Sequence, residues 1–177
     1  MIQIKDKTFE VFIPEVGLAE KVGAVAERLN REYEGKNPVF VSILNGSFMF
    51  AADLMKKVRI PCEITFVKVA SYHAMHSTGK VKELIGLSEN IAGRHVVVVE
   101  DIVDTGITME QILAQLRTYA PASVRTAVLL FKPEALQRNV PLDYVCFEIA
   151  NRFVVGYGLD YDGYGRNLPS LYVLREA

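Results

Sequence analysis

The sequence predicts an α/β fold: a doubly wound, mainly parallel sheet flanked by helices. Three observations carry that expectation. Val39 to Leu44, Val96 to Val99 and Val124 to Phe131 are near-continuous apolar runs, the pattern of strands buried on both faces of a parallel sheet. The first two runs each pass through a glycine-containing turn into a helical pattern. The chain has 177 residues, half of them apolar, which is enough for one sizeable core and too little for two full domains. Residues 1–177 are therefore expected to form a single domain.

The elements follow in order. Met1 to Phe12 is mixed and suits a short peripheral strand. Pro14 precedes a helical pattern at Leu18, Val22, Val25, Ala26, Leu29 and Tyr33, with Gly35 placed for the exit. After the strand Val39–Leu44, Asn45-Gly46-Ser47 makes a turn and Phe48 to Met55 a helix. Cys62 to Val69 reads as a further strand. Ser71 to Lys80 is polar and glycine-containing, so a loop is expected there. Val96 to Val99 is followed at once by Glu100 and Asp101, then by Asp104 and a donor-rich turn, Thr105, Gly106 and Thr108. A helix begins behind them, with Met109, Ile112, Leu113, Leu116 and Tyr119 on its apolar side. Thr108 and Gln111 have capping-box spacing. The strand Val124 to Phe131 ends in Lys132-Pro133, and Pro133 to Gln137 suits a helical turn. The tail alternates as packed strands and tight turns do.

The chemistry concentrates at Glu100 to Thr108. A strand, a turn and a helix start in that order aim backbone N–H groups at one spot, which suits a phosphate. Ordinary capping is the competing reading of the same residues. Three acids beside that spot repel one another and require a cation or hydroxyl groups. Together they point to a sugar phosphate with a metal. No G-x-x-x-x-G-K-[ST] or G-x-G-x-x-G sequence is present, which argues against the two common nucleotide loops. Lys plus Arg is 20 and Asp plus Glu is 21, so a net charge of −1 gives no general attraction to nucleic acid or anionic membranes. No apolar run reaches the roughly 18 residues of a membrane span, and no cleavable leader pattern is seen. A soluble cytoplasmic protein is expected. Cys62 and Cys146 sit in apolar runs and are expected to be buried thiols.

The stretch VVVVEDIVDTGIT closely resembles the phosphoribosyl-diphosphate motif of type I phosphoribosyltransferases, and its form resembles their hypoxanthine-guanine branch. The order F-V-V-G-Y-G-L-D-Y in the tail is similar to that family's base-binding region, and the matched regions cover most of the chain from Val39 onward. The resemblance implies transfer of a 5-phosphoribosyl group from phosphoribosyl diphosphate to N9 of hypoxanthine or guanine. Glu100 and Asp101 would hold the ribose hydroxyls, with Asp104 near N7 as the catalytic group. Thr105, Gly106, Ile107 and Thr108 would cradle the 5′-phosphate. Asn45, Gly46 and Arg166 would meet the pyrophosphate, although many relatives carry Lys or Arg at the position of Asn45. In the family the peptide before that position, here Leu44-Asn45, is often cis.

Lys132, Phe153 and Val154 would bind the purine, and Ser71 and Tyr72 would begin an active-site lid. Asp160 would bind magnesium, the expected cofactor. The N-terminal residues and the 133–177 tail would form a small hood over the C-terminal edge of the sheet. A homodimer or homotetramer is expected, with no nucleic-acid or membrane partner. The alternative is a non-catalytic, nucleotide-sensing regulator on the same fold that binds RNA or DNA.

Overall fold

The computed structural model describes the backbone of residues 1–73 and 80–175, and the side chains of residues 1–69 and 85–175. The chain opens with a hairpin, β1 (Ile2–Ile4) and β2 (Lys7–Ile13), where one peripheral strand was expected. Helix α1 (Glu15–Glu32) starts after Pro14 and is not interrupted by Gly17 or Gly23. Its stripe of Leu18, Val22, Val25, Ala26 and Leu29 is buried, at a spacing that keeps these side chains on one face. Then come β3 (Val39–Leu44) and α2 (Phe48–Met55), both with the expected boundaries.

β4 (Glu63–His73) is longer than expected and pairs antiparallel with β5 (Lys80–Ile85). The loop expected from Ser71 to Lys80 is thus replaced at both ends by strand, and residues 74–79 lie outside the described residues. Ladder pairing between neighbouring strands outweighs the polar composition that suggested a loop.

β6 (His95–Val103) leads into α3 (Ile107–Thr118). The capping box expected at Thr108 and Gln111 does not form. Gly106, at φ 79°, is the N-cap, so the helix starts before Thr108. A left-handed backbone at that point favours glycine. Tyr119, expected on the apolar side, lies just past the last helical turn and is exposed. β7 (Ser123–Phe131), a 3₁₀ turn at Pro133–Ala135 and β8 (Tyr144–Glu148) follow, and the chain ends with β9 (Val154–Val155) and β10 (Leu171–Leu174).

The main sheet has the order β5-β4-β3-β6-β7-β8, parallel throughout except for β5. Its centre is the valine run: Val96 to Val99 stand opposite Val39 to Ser42 on one side and Val124 to Ala127 on the other. Side chains alternate between faces along a strand. Val97 and Val99 therefore pack with α1 and α2, whereas Val96 and Val98 pack with α3. This is the doubly wound arrangement the sequence predicts. A second, antiparallel sheet, β1-β2-β10-β9, joins the N-terminal hairpin to the end of the tail. Of the tail, β8 belongs to the main sheet and only β9 and β10 reach the small one. Cys146 is buried as expected. Cys62 is only half-buried, because it precedes β4 at the entry edge.

Leu116, fully buried between α3 and the sheet, tests the packing. Leu116→Ala should destabilise the protein by roughly 2–5 kcal/mol. Urea denaturation should show this as a lower midpoint with an unchanged slope.

Candidate active site

Chain connections leave β3 and β6, which are neighbours, toward opposite sides of the sheet. Their carboxyl ends therefore flank a crevice at the topological switch point, where open α/β sheets bind ligands. A cleft of about 350 Å³ occupies that position. It is lined from β3 by Asn45 and Gly46, from β6 by Glu100, Asp101 and Asp104, and from the helix start by Thr105, Gly106 and Thr108. The small-sheet side contributes Asp160 and Arg166. Ile107 opens α3 but does not line the cleft.

A second pocket of about 280 Å³ adjoins the first and shares Asp101, Ile102, Asp104 and Asp160 with it. Lys132, Phe153, Val154 and Leu159 complete this pocket. Lys132, Phe153 and Asp104 thus converge on one space although the chain separates them widely. Ser71 and Tyr72 lie in β4, and their side chains are outside the described residues.

Packing at the crevice is very close. A β-carbon built on Gly46 would lie 1.5 Å from an Asp101 carboxylate oxygen. One on Gly158, at φ +102°, would lie 2.0 Å from the Gly46 carbonyl oxygen. The peptide Leu44-Asn45 is cis. Ser47 is buried and its hydroxyl donates to the Ile43 carbonyl at 2.5 Å, holding the turn to the end of β3. On the other side, the Thr105 carbonyl accepts from the N–H groups of Gln137 (2.9 Å) and Arg138 (3.1 Å). The segment after β7 thereby braces the start of α3. The positive end of the α3 dipole opens on the cleft, as anion sites at helix N-termini require.

The electrostatics divide the site. Glu100 is buried, and its carboxyl is held well above the usual carboxylate range, first by burial and then by the charge of Asp101. Asp101 accepts from the Ile102 N–H at 2.9 Å. Neither acid forms an ion pair among the described residues. In the second pocket, the buried Lys132 ammonium lies 3.6 Å from Asp104 and 3.4 Å from the Asn151 side-chain oxygen. Phe153 is partly exposed, and its ring sits 6.2 Å from Phe9 and 5.9 Å, edge-on, from Tyr161. Arg166 bonds Asp160 at 2.6 Å and donates to the Gly158 carbonyl at 2.7 Å.

No group of three or more His, Cys, Asp or Glu forms a self-sufficient metal site among the described residues. Asp160 already accepts from Arg166 and from the Gly163 N–H (2.7 Å), but each carboxylate oxygen retains acceptor capacity. That donor set suits a hard divalent cation bringing further oxygen ligands with it.

Asn151, Leu159 and Gly158 were not singled out from the sequence. Gly158 and Leu159 stand inside the F-V-V-G-Y-G-L-D-Y stretch. Asn151 carried no signal, because its meaning depends on Lys132, which lies just past the end of β7.

Glu100→Gln should test the electrostatics. An acid whose folded pKa is raised binds more protons folded than unfolded, so it costs stability as pH rises above its unfolded pKa of about 4.3. The variant should therefore gain melting temperature over wild type as pH climbs from 4 toward neutrality, and the gap should close again on acidification. Parallel melting curves across pH would show a cost at Glu100 only if the two lines diverge.

Comparison with known proteins places these features among relatives. A family model described as "Phosphoribosyl transferase domain" matches residues 16–162. The chain is 45% identical over 159 residues to the hypoxanthine-guanine phosphoribosyltransferase of Streptococcus pneumoniae strain R6, covering 89% of this chain and 87% of that one. It is 39% identical over 168 residues to the enzyme of the same name from Streptococcus pyogenes serotype M3, covering 94% and 93%. A crystal structure of a hypoxanthine-guanine phosphoribosyltransferase from Bacillus anthracis is similar at 34% identity and TM-score 0.87, covering 96% of this chain and 100% of that one. A hypoxanthine phosphoribosyltransferase structure from Staphylococcus aureus gives 34% identity and TM-score 0.84, covering 94% and 91%.

Proposed function

Since the chain belongs to the phosphoribosyltransferase family, we propose that it transfers a 5-phosphoribosyl group from phosphoribosyl diphosphate to N9 of hypoxanthine or guanine. One observation carries the reading: a cleft with carboxylates at a helix N-terminus and an adjoining pocket with a buried lysine share the wall formed by Asp101, Asp104 and Asp160. A sugar carbon seated at that wall reaches both. In the reaction the bond from C1 of the ribose to the diphosphate oxygen breaks, and the bond to N9 forms. The purine loses one proton, and the products are the nucleoside monophosphate and pyrophosphate.

Each residue has a task in that geometry. The amides and hydroxyls of Thr105 to Thr108 hold the 5′-phosphate at the head of α3. Glu100 and Asp101 accept from the ribose hydroxyls and favour the positive charge that develops on the sugar. Asp104, at the shared wall, takes or stabilises the purine proton near N7. Asn45 and Gly46 on one bank and Arg166 on the other flank the leaving diphosphate. Asn45 brings no charge, so among the described residues Arg166 is the cation of that subsite. Asp160 would hold magnesium, whose charge would offset that of the leaving diphosphate.

Lys132 donates to O6, and the Val154 carbonyl accepts from N1–H, with Phe153 stacking on the ring. The reading extends to purine salvage and a homo-oligomeric state in the cytoplasm. No described helix is long and apolar enough to cross a membrane.

Purified protein given phosphoribosyl diphosphate, magnesium and single bases should release pyrophosphate with hypoxanthine and guanine. Adenine should fall short by more than tenfold in kcat/KM, because it presents a 6-amino group to Lys132 and a bare N1 to the Val154 carbonyl. Absence of release with every purine would refute the proposal.

Lys132→Met keeps length and removes the donor. It should lower kcat/KM for 6-oxopurines by about 5–150-fold, the range for one unsatisfied buried polar group. Titration calorimetry should find the affinity for phosphoribosyl diphosphate little changed. Equal weakening of both ligands would assign Lys132 to the fold instead.

A further inference from the structure

The two banks of the diphosphate subsite belong to different parts of the fold. Asn45 and Gly46 precede α2, whereas Asp160 and Arg166 lie on the loop that runs from β9 to β10. Their separation must be set by whatever ties that loop to α2. Two contacts do so. One is the approach of Gly158 to the Gly46 carbonyl. The other lies one residue earlier: the Tyr157 hydroxyl donates to the Asp53 carboxylate, on the second turn of α2, at 2.7 Å.

We propose that Tyr157 and Asp53 are positioning residues for the diphosphate subsite, acting through the hydrogen bond that clamps the Asp160–Arg166 loop onto α2. Neither side chain lines the cleft. Tyr157 is almost fully buried, with φ at 46°, so its ring is locked by packing and its backbone by the turn. Its N–H bonds the Leu168 carbonyl at 2.8 Å, and the next N–H, of Gly158, bonds the Arg166 carbonyl at 3.0 Å. The two strands of the loop thus move with Tyr157. Burial, and then the bond to Asp53, push the phenol well above its usual range, so it stays a donor at any working pH. Asp53 is steadied on its other oxygen by Lys56 at 2.8 Å.

The bond therefore joins a neutral donor to an ionised acceptor, a class of hydrogen bond stronger than a neutral pair. Without it the loop keeps its backbone bonds and its apolar packing but loses the hydrogen bond that ties it to α2. Arg166 and Asp160 then range over more positions relative to Gly46, and the ligand spanning both banks must meet the cost of fixing them.

This inference rests on the phosphoribosyl-transfer reading. Steady-state kinetics on wild type, Tyr157→Phe, Asp53→Ala and the double variant separate the two. Tyr157→Phe and Asp53→Ala should each raise the KM for phosphoribosyl diphosphate roughly tenfold, the scale of one charge-assisted hydrogen bond. The KM for hypoxanthine and kcat should stay within about threefold. The double variant should be no worse than either single one, since both remove the same bond. Asp53→Asn, which retains a neutral acceptor oxygen, should fall between wild type and Asp53→Ala.

An unchanged KM for phosphoribosyl diphosphate in the single variants would overturn the inference while leaving the reaction intact. So would equal rises for both substrates, or additive effects in the double variant. A wild-type protein that releases no pyrophosphate would defeat the reading itself and the inference with it. Should a variant fold poorly at the assay temperature, calorimetric titration of the diphosphate at a temperature below its melting transition reads the same affinity loss.

Discussion

Two adjacent carboxylates at the end of the central strand, Glu100 and Asp101, constrain everything around them. Burial raises the cost of charge on Glu100, and the neighbouring Asp101 adds to it. No basic side chain among the described residues pairs with either acid. The fold carries this cost at the one place in a parallel sheet where polar groups can face a crevice. The ligand that relieves it must bring hydroxyls or a cation, and a sugar diphosphate brings hydroxyls. The acids stand at the end of a strand that pairs with β3 on one side and β7 on the other.

The rest of the crevice follows from that choice. Asp101 leaves no room for a side chain opposite, so position 46 is glycine. The Gly46 carbonyl in turn is so close to the tail loop that position 158 is also glycine. The resulting stack, from β6 through the β3 turn to the tail, brings Asp160 and Arg166 over the cleft. The same tail supplies Phe153 and Val154 to the adjoining pocket, and the small sheet with its Phe9 and Tyr161 rings backs Phe153. The two adjoining pockets are therefore set by one chain of contacts.

Much of this was legible in the residues. Val39–Leu44 and Phe48–Met55 stand where the apolar pattern put them, because buried parallel strands and short core helices carry dense apolar signals. The cluster from Glu100 to Thr108 was legible because its members are contiguous. The β4–β5 pairing was not: Lys80 to Ile85 alternates weakly, and its strand character comes from the partner. The capping box at Thr108 failed because Gly106 takes a left-handed backbone, which sets the helix start earlier. The contacts of Gly46 with Asp101 and Gly158, and of Tyr157 with Asp53, join residues 55 to 112 positions apart in the chain. No local pattern marks such pairs, and they decide how the site is held.

In the proposed reaction Glu100 and Asp101 bind the ribose hydroxyls. The most direct measurement is calorimetric titration of the wild-type protein with inosine monophosphate and with its 2′-deoxy analogue, under identical magnesium and pH. Removing one hydroxyl leaves a buried carboxylate short of a donor, at about 1–3 kcal/mol. The deoxy nucleotide should therefore bind about 5–150-fold more weakly. Equal affinities would mean that the acids do not face the sugar, and the assignment of the cleft would fail.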